Sequence, residues 1–312
     1  MKKAAVIAVI LAIAFCFGWY IFDPGYEQGW IGHQSDELQA AMPAAEPSGN
    51  AAPSATEMEN SFVPSEATAS AITVSPSSSA DDLGSAGWTL AWSDEFDAPF
   101  INMEYWSEMD RRDNFNGELQ YYTADNSYIE NDCLVLTAKE EEKEGKRYTS
   151  GMVQTCGKLE MRQGRIEASI SLPVAQGIFP AFWLTTDSGK HELDILEMVG
   201  CEPGNIYGVC HYPSGSGLTK TYGMLHIENA EAFHTYALEW DWDSIRWYVD
   251  DTLYFSTRTG IPDEELYVLF TLAVGGEWPG SPDYTTSFPQ SMRVDYIRLY
   301  SREAEGADDD TD

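Results

Sequence analysis

The sequence predicts an all-β protein whose folded part, residues 86–301, is a single β-sandwich. Three observations carry this. Residues 165–172, Arg-Ile-Glu-Ala-Ser-Ile-Ser-Leu, alternate polar and apolar side chains, the period-two signature of a strand with one buried face. Ile245, Trp247 and Val249 alternate with Arg246, Tyr248 and Asp250, and this run follows Tyr236-Ala237-Leu238-Glu239-Trp240 across a short polar turn, as two hairpin strands would. Runs of this kind recur along the chain between turn signals, and no long stretch of helical period interrupts them.

At the start of the chain, Lys2 and Lys3 precede an uncharged apolar stretch at residues 4–22, and the first acid is Asp23. That length nearly spans a ~30 Å hydrocarbon core, and the basic flank keeps the N-terminus on the cytoplasmic side. A cleaved signal peptide is the alternative, although Trp19, Tyr20, Ile21 and Phe22 stand where small residues mark a cleavage site. Residues 1–22 are thus expected to be an N-terminal membrane anchor or signal peptide, with the folded domain extracytoplasmic, either membrane-anchored or secreted. Residues 23–85 shift to Ala, Ser, Pro, Glu and Thr, too poor in large apolar groups to fold. As a flexible linker they would span on the order of 45 Å root-mean-square. Residues 302–312 form an acidic tail.

The chain of 312 residues carries a formal charge of −33, and residues 86–301 hold 35 acids against 15 bases. Like charge repels nucleic acid and anionic polysaccharide, so no nucleic-acid partner is expected and a neutral glycan is favoured. The domain is expected to act as a monomer. Cys133, Cys156, Cys201 and Cys210 do not have zinc spacing, and in an oxidising compartment three pairings are open. Cys201 and Cys210 flank the turn signal Glu202-Pro203-Gly204-Asn205, which would set them facing each other across a hairpin.

The rest is organised around residues 191–200, His-Glu-Leu-Asp-Ile-Leu-Glu-Met-Val-Gly. Glu192, Asp194 and Glu197 interrupt an otherwise apolar run, and acids along a buried strand are costly unless they serve a site. Residues i and i+2 share a face of a strand, so Glu192 and Asp194 point one way while Glu197 would point the other. A β-bulge at Ile195 or Leu196 returns Glu197 to the face of the other two. Glu192 and Glu197 would then be roughly 13 Å apart at the backbone, at ~3.3 Å per residue. Leaning together, their carboxyls reach about 5–5.5 Å, the separation of a retaining glycosidase.

This stretch resembles the Glu-x-Asp-x-x-Glu signature of glycoside hydrolase family 16, in the bulged form of laminarinases and not the unbulged Glu-x-Asp-x-Glu of lichenases. Further blocks are similar in family order: Trp92-Ser93-Asp94-Glu95-Phe96-Asp97, Asn116-Gly117-Glu118-Leu119-Gln120-Tyr121-Tyr122, Gly177-Ile178-Phe179-Pro180-Ala181-Phe182-Trp183-Leu184, Phe233-His234-Thr235-Tyr236, Gly275-Gly276-Glu277-Trp278-Pro279-Gly280 and Val294-Asp295-Tyr296. The resemblance implies a β-sandwich jelly roll with a concave substrate cleft. It implies an endo-acting, retaining hydrolase of β-glucan with β-1,3 or mixed β-1,3/1,4 linkages, and Glu192, Asp194 and Glu197 as catalytic residues. Two rivals stay open: the same chemistry on another neutral glycan, a galactan or host O-glycan, and a non-catalytic β-glucan-binding protein, whose relatives lose the catalytic glutamates.

Sugar rings present flat apolar faces, so a glycan cleft needs aromatic platforms beside polar groups. Trp183 and Trp278 match family cleft positions, and Asn116, Arg165 and His211 match polar ones, His211 as a contact near Glu197. Gln163 and Glu277 stand where the family often has Tyr and Asn, which leaves the fine specificity open. The chemistry requires no cofactor. The resemblance also implies a structural calcium on the convex side, here involving Glu95 and Asp295, since oxygen ligands suit that ion.

Overall fold

The structure is a computed structural model that describes residues 87–215 and 217–302. The expected anchor or signal segment, the linker and all of the acidic tail but its first residue lie outside the described residues. Eighteen strands follow in chain order: β1 (Trp88–Asp94), β2 (Ser107–Glu108), β3 (Gln120–Tyr122), β4 (Ser127–Ile129), β5 (Leu134–Ala138), β6 (Tyr148–Ser150), β7 (Met152–Gln154), β8 (Glu160–Met161), β9 (Gly164–Ser171), β10 (Ile178–Thr185), β11 (Glu192–Glu197), β12 (Asn205–Ser214), β13 (Gly217–His226), β14 (His234–Trp240), β15 (Ile245–Val249), β16 (Thr252–Thr257), β17 (Leu266–Val274) and β18 (Gln290–Arg302). Among the described residues the only helical turn is a 3-10 turn at Ala124–Asn126, and no helix is long and apolar enough to cross a membrane.

Two antiparallel sheets stack face to face, as the alternating patterns require. The first runs β16-β15-β14-β9-β18-β5-β4, with β1 on β18; the second runs β13-β12-β11-β10-β17-β7-β2, with β8 on β17. The expected hairpin is present: β14 pairs β15 with Trp240 opposite Ile245, and the intervening turn is closed by Asp241, whose carboxylate accepts the N–H groups of Asp243 and Ser244 at 2.8 Å each. The apolar residues of these alternating strands meet in one core, Ile166, Ile170, Leu238 and Trp247 from the first sheet against Phe182, Leu193, Leu196 and Phe270 from the second.

β11 carries the expected bulge. Asp194 pairs with Trp183 and Leu196 with Phe182 on β10, so Ile195 is the extra residue. On the other side Asp194 pairs with Val209 and Glu197 with Tyr207 of β12. Ile195 and Leu196 both turn into the core, fully buried. A bulge removes a ladder bond, and here the Asp194 carbonyl accepts instead from the indole N–H of Trp247, on the opposite sheet, at 2.8 Å. Gly208 makes room: a Cβ there would sit 2.5 Å from Trp247 Cδ1 and 2.5 Å from the Tyr254 hydroxyl.

The cysteine expectation is corrected. Neither Cys201 nor Cys210 is in a disulfide. Cys201 is exposed in the β11–β12 loop, whereas Cys210 lies level with Leu193 and is buried in the core, so the two sit at different heights of the sandwich.

Replacing Trp247 by Phe keeps much of the packing but strands the Asp194 carbonyl, a loss of about 1–3 kcal/mol for a buried acceptor. Urea unfolding of the variant is expected to show that loss together with reduced turnover. Unchanged stability would rule out the bond as the bulge's support.

Candidate active site

Strand register builds the site. Residues directly opposite in an antiparallel pair share a face, and three rows of side chains cross the outer face of the second sheet. One row is Thr185, Glu192, His211 and Lys220; the next is Leu269, Trp183, Asp194, Val209 and Tyr222; the third is Thr271, Ala181, Glu197, Tyr207 and Met224. The bulge at Ile195 therefore brings all three acids onto one face, as the sequence requires. They remain buried, at 4%, 3% and 6% exposure for Glu192, Asp194 and Glu197.

Burial disfavours the charged form of each acid, and their proximity adds repulsion. Desolvation first, and Glu197 second, push Glu192 well above the usual carboxylate range. Asp194 is pushed well up by burial and by both glutamates. Burial raises Glu197 to about 7, and the Lys220 ammonium pulls all three down. Such a cluster holds protons near neutrality, as an acid catalyst must.

His211 departs from expectation in its partners. Its Nε2 stands 3.7 Å from Glu192 Oε1 and 3.5 Å from Asp194 Oδ2, so it faces those two acids rather than Glu197. Burial, then Lys220, lowers its pKa to about 3, which makes it a neutral neighbour and not a counter-charge. Asp194 Oδ2 itself has no hydrogen-bond partner among the described residues.

Trp183 is half-buried on β10 beside Asp194, and its indole donates to Thr271 Oγ1 at 3.3 Å. Trp278 packs edge-on against Phe179 and Tyr207, with ring centroids 5.4 and 5.1 Å away, next to the Glu197 row. Its Nε1 is buried with no partner among the described residues. The Asn116 loop is joined to the same corner, its carbonyl accepting the Glu277 N–H at 2.9 Å.

One expectation is corrected. Arg165 is not in the cleft. It lies on β9 of the other sheet, where alternate residues Ile166 and Ile170 fill the core and Arg165 turns to the outer side. There it bonds Glu167 at 3.0 Å and Glu239 at 3.1 Å, and is 3.5 Å from Asp251. Nor do Glu95 and Asp295 fit a calcium ion as placed. Both Glu95 oxygens accept from Arg298, at 2.9 and 2.8 Å, and a guanidinium competes with a cation for them. Asp295 sits exposed at a register shift in β18. Among the described residues the one cluster with metal-ligand geometry is Glu192, Asp194 and His211, which the acid site already accounts for.

Sequence reasoning missed Tyr207, Lys220, Tyr222 and Met224. The signal existed, since Gly215 and Gly217 mark a turn between two alternating runs, and pairing them would have set Lys220 opposite His211.

The segment that builds this site, residues 115–298, matches the profile for Glycosyl hydrolases family 16. The chain belongs to glycoside hydrolase family 16. The family 16 enzyme is 34% identical over 243 residues to a beta-glucanase of Rhodothermus marinus, covering 68% of this chain and 85% of that one. It is similar to the solved catalytic domain of an endo-1,3-beta-glucanase (laminarinase) from Thermotoga petrophila, at 36% identity and TM-score 0.63, with 69% and 98% of the two chains covered. It is also similar, at 29% identity and TM-score 0.65 over 70% and 92% of the chains, to a structure from work on endo-acting O-glycanases that members of the human gut microbiota express to initiate mucin breakdown. A second profile, for the beta-glucan synthesis-associated proteins SKN1/KRE6/Sbg1, matches residues 33–192 and stops at the first of the three acids. The protein is thus a glycoside hydrolase with a jelly-roll sandwich.

The raised Glu197 has a thermodynamic consequence. Its native pKa of about 7 exceeds the ordinary 4.5, so between these values the folded chain binds the extra proton and stability falls as pH rises. Glu197→Gln is expected to raise Tm by several degrees at pH 8 and much less at pH 5. Equal gains at both would show that the carboxyl is not strained by burial.

Proposed function

We propose that this family 16 enzyme is an endo-acting, retaining β-glucan hydrolase acting on β-1,3 or mixed β-1,3/1,4 linkages. The observation that carries it is the bulged Glu192–Glu197 strand, with three acids on one open face. The β-glucanase and laminarinase relatives support the substrate.

Glu192 acts as nucleophile on the anomeric carbon, forming a glycosyl-enzyme as the glycosidic bond breaks. Glu197 gives its proton to the departing oxygen, then removes a proton from the water that hydrolyses the intermediate. Asp194, between them on the same face, orients Glu192, and Lys220 across from His211 works against the burial that holds the Glu192 proton. Trp183, beside Asp194 on the same face, supplies a ring platform. Intact acids argue against a binding protein without activity. A second reading, a galactan or host O-glycan as substrate, draws on the likeness to the O-glycanase structure.

A panel of laminarin, barley β-glucan, agarose and mucin glycans separates the two readings: laminarin or barley β-glucan is expected to be cut fastest, and faster cleavage of agarose or mucin glycans overturns the first. For the roles, Glu192→Ala is expected to abolish turnover, while Glu197→Ala spares the first step for aryl glycosides with good leaving groups. Azide then restores turnover of Glu197→Ala through a β-glycosyl azide. An α-azide from that variant would reverse the assignment.

The domain works outside the cytoplasm, as a monomer, held to a membrane by residues 4–22 through the linker at residues 23–85. Protease added to intact cells is expected to release a domain beginning near residue 86. A mature soluble protein starting after Phe22 would refute the anchor.

A further inference from the structure

β13 is the terminal strand of the second sheet, and its two faces differ sharply. One is pinned: Leu225 packs on the core, and Gly223 lies so close to Phe255 that a Cβ would meet that ring at 2.5 Å. The other continues the catalytic face and is open, with Tyr222 38% and Met224 50% exposed. These two are neighbours in that face. Tyr222 pairs with Val209 and so ends the row that begins at Leu269 and Trp183 and passes Asp194; Met224 pairs with Tyr207 and ends the Glu197 row.

Asp194 is the midpoint between Glu192 and Glu197 along β11, so a sugar chain whose scissile bond lies between the two glutamates crosses the strands along the Asp194 row. Trp183 flanks that midpoint by one strand and Tyr222 by two on the other side. At ~4.8 Å per strand, Trp183 and Tyr222 are about 14 Å apart at the backbone, room for a short run of sugar rings. An exposed aromatic and a thioether held on a fixed strand, contiguous with a glycan cleft, offer an apolar surface for the C–H face of a pyranose.

We propose that Tyr222 and Met224 form a sugar platform, a subsite for a β-linked hexose ring remote from the cleaved bond, on the side of the acids opposite Trp183. The inference rests on the β-glucan reading and deepens it. The platform sets how strongly the enzyme favours long chains over short ones, and it acts through binding, leaving the proton transfers at Glu192 and Glu197 alone.

The test is the dependence of kcat/KM on chain length, measured with laminari-oligosaccharides of three to six units on wild type, Tyr222→Ala, Tyr222→Phe, Met224→Ala and, as a control on the opposite sheet, Leu253→Ala. Tyr222→Ala is expected to lower the ratio of kcat/KM between the longest and shortest substrates ~10-fold, mostly through KM, as loss of one stacking surface implies. Met224→Ala lowers it less, and Tyr222→Phe and Leu253→Ala leave it near wild type. Circular dichroism and Tm of each variant establish that it is folded, and Met224→Ala carries the test if Tyr222→Ala is not. A ratio unchanged in the folded variants overturns the platform alone. Wild type failing to cut the series would overturn both the β-glucan reading and the platform built on it.

Discussion

The structure turns on one hydrogen bond through the middle of the sandwich, from the Trp247 indole to the Asp194 carbonyl. The bulge that unites the acids breaks the β11 ladder, and a carbonyl left bare in an apolar core would work against it. The opposite sheet supplies the missing donor. That donor reaches the carbonyl only because β12 has glycine at 208, where any side chain would collide with the ring. Catalytic geometry on the open face is therefore fixed from behind by a core residue on another layer and by the absence of a side chain on a third strand.

The two sheets treat buried acids in opposite ways. On the outer side of the first, Arg165 binds Glu167 and Glu239, and Tyr300 and Tyr248 donate to the same two carboxylates. There the charges are satisfied. In the cleft, Glu192, Asp194 and Glu197 have chiefly one another, a neutral His211 and the single ammonium of Lys220, and all three acids hold their protons too tightly. The first arrangement stabilises a sheet; the second stores unfavourable charge where a substrate can use it.

Much of this was legible in the chain. Alternation around Ile166, Trp247 and Leu238 located strands because one face of each is core, and the parity of the acids demanded a bulge within a residue of where it lies. What failed were statements about partners. Arg165 was assigned to the cleft because a motif marks a position without saying which way its side chain points, and on β9 alternation turns it outward. Cys201 and Cys210 flank a turn, but the strand pairing places Cys210 opposite Leu193. Lys220 and Tyr222 were overlooked because their importance comes from pairing across the β12–β13 hairpin, which periodicity within a single strand does not reveal.

The bulge also bears on descent by insertion and deletion. Removing Ile195 would leave Glu-Leu-Asp-Leu-Glu, in which the three acids again fall on alternate positions and so keep a common face without any irregularity. The bulged and unbulged signatures are thus one codon apart, and either spelling places the same triad on one face of the sheet. What the deletion would discard is the reason for Trp247 and Gly208: with a regular ladder the Asp194 carbonyl recovers a strand partner, and the pair behind it is released to vary. The order of such changes is constrained. A lineage losing the extra residue can afterwards lose the tryptophan, whereas one losing the tryptophan first passes through an enzyme with an unpaired carbonyl under its active site.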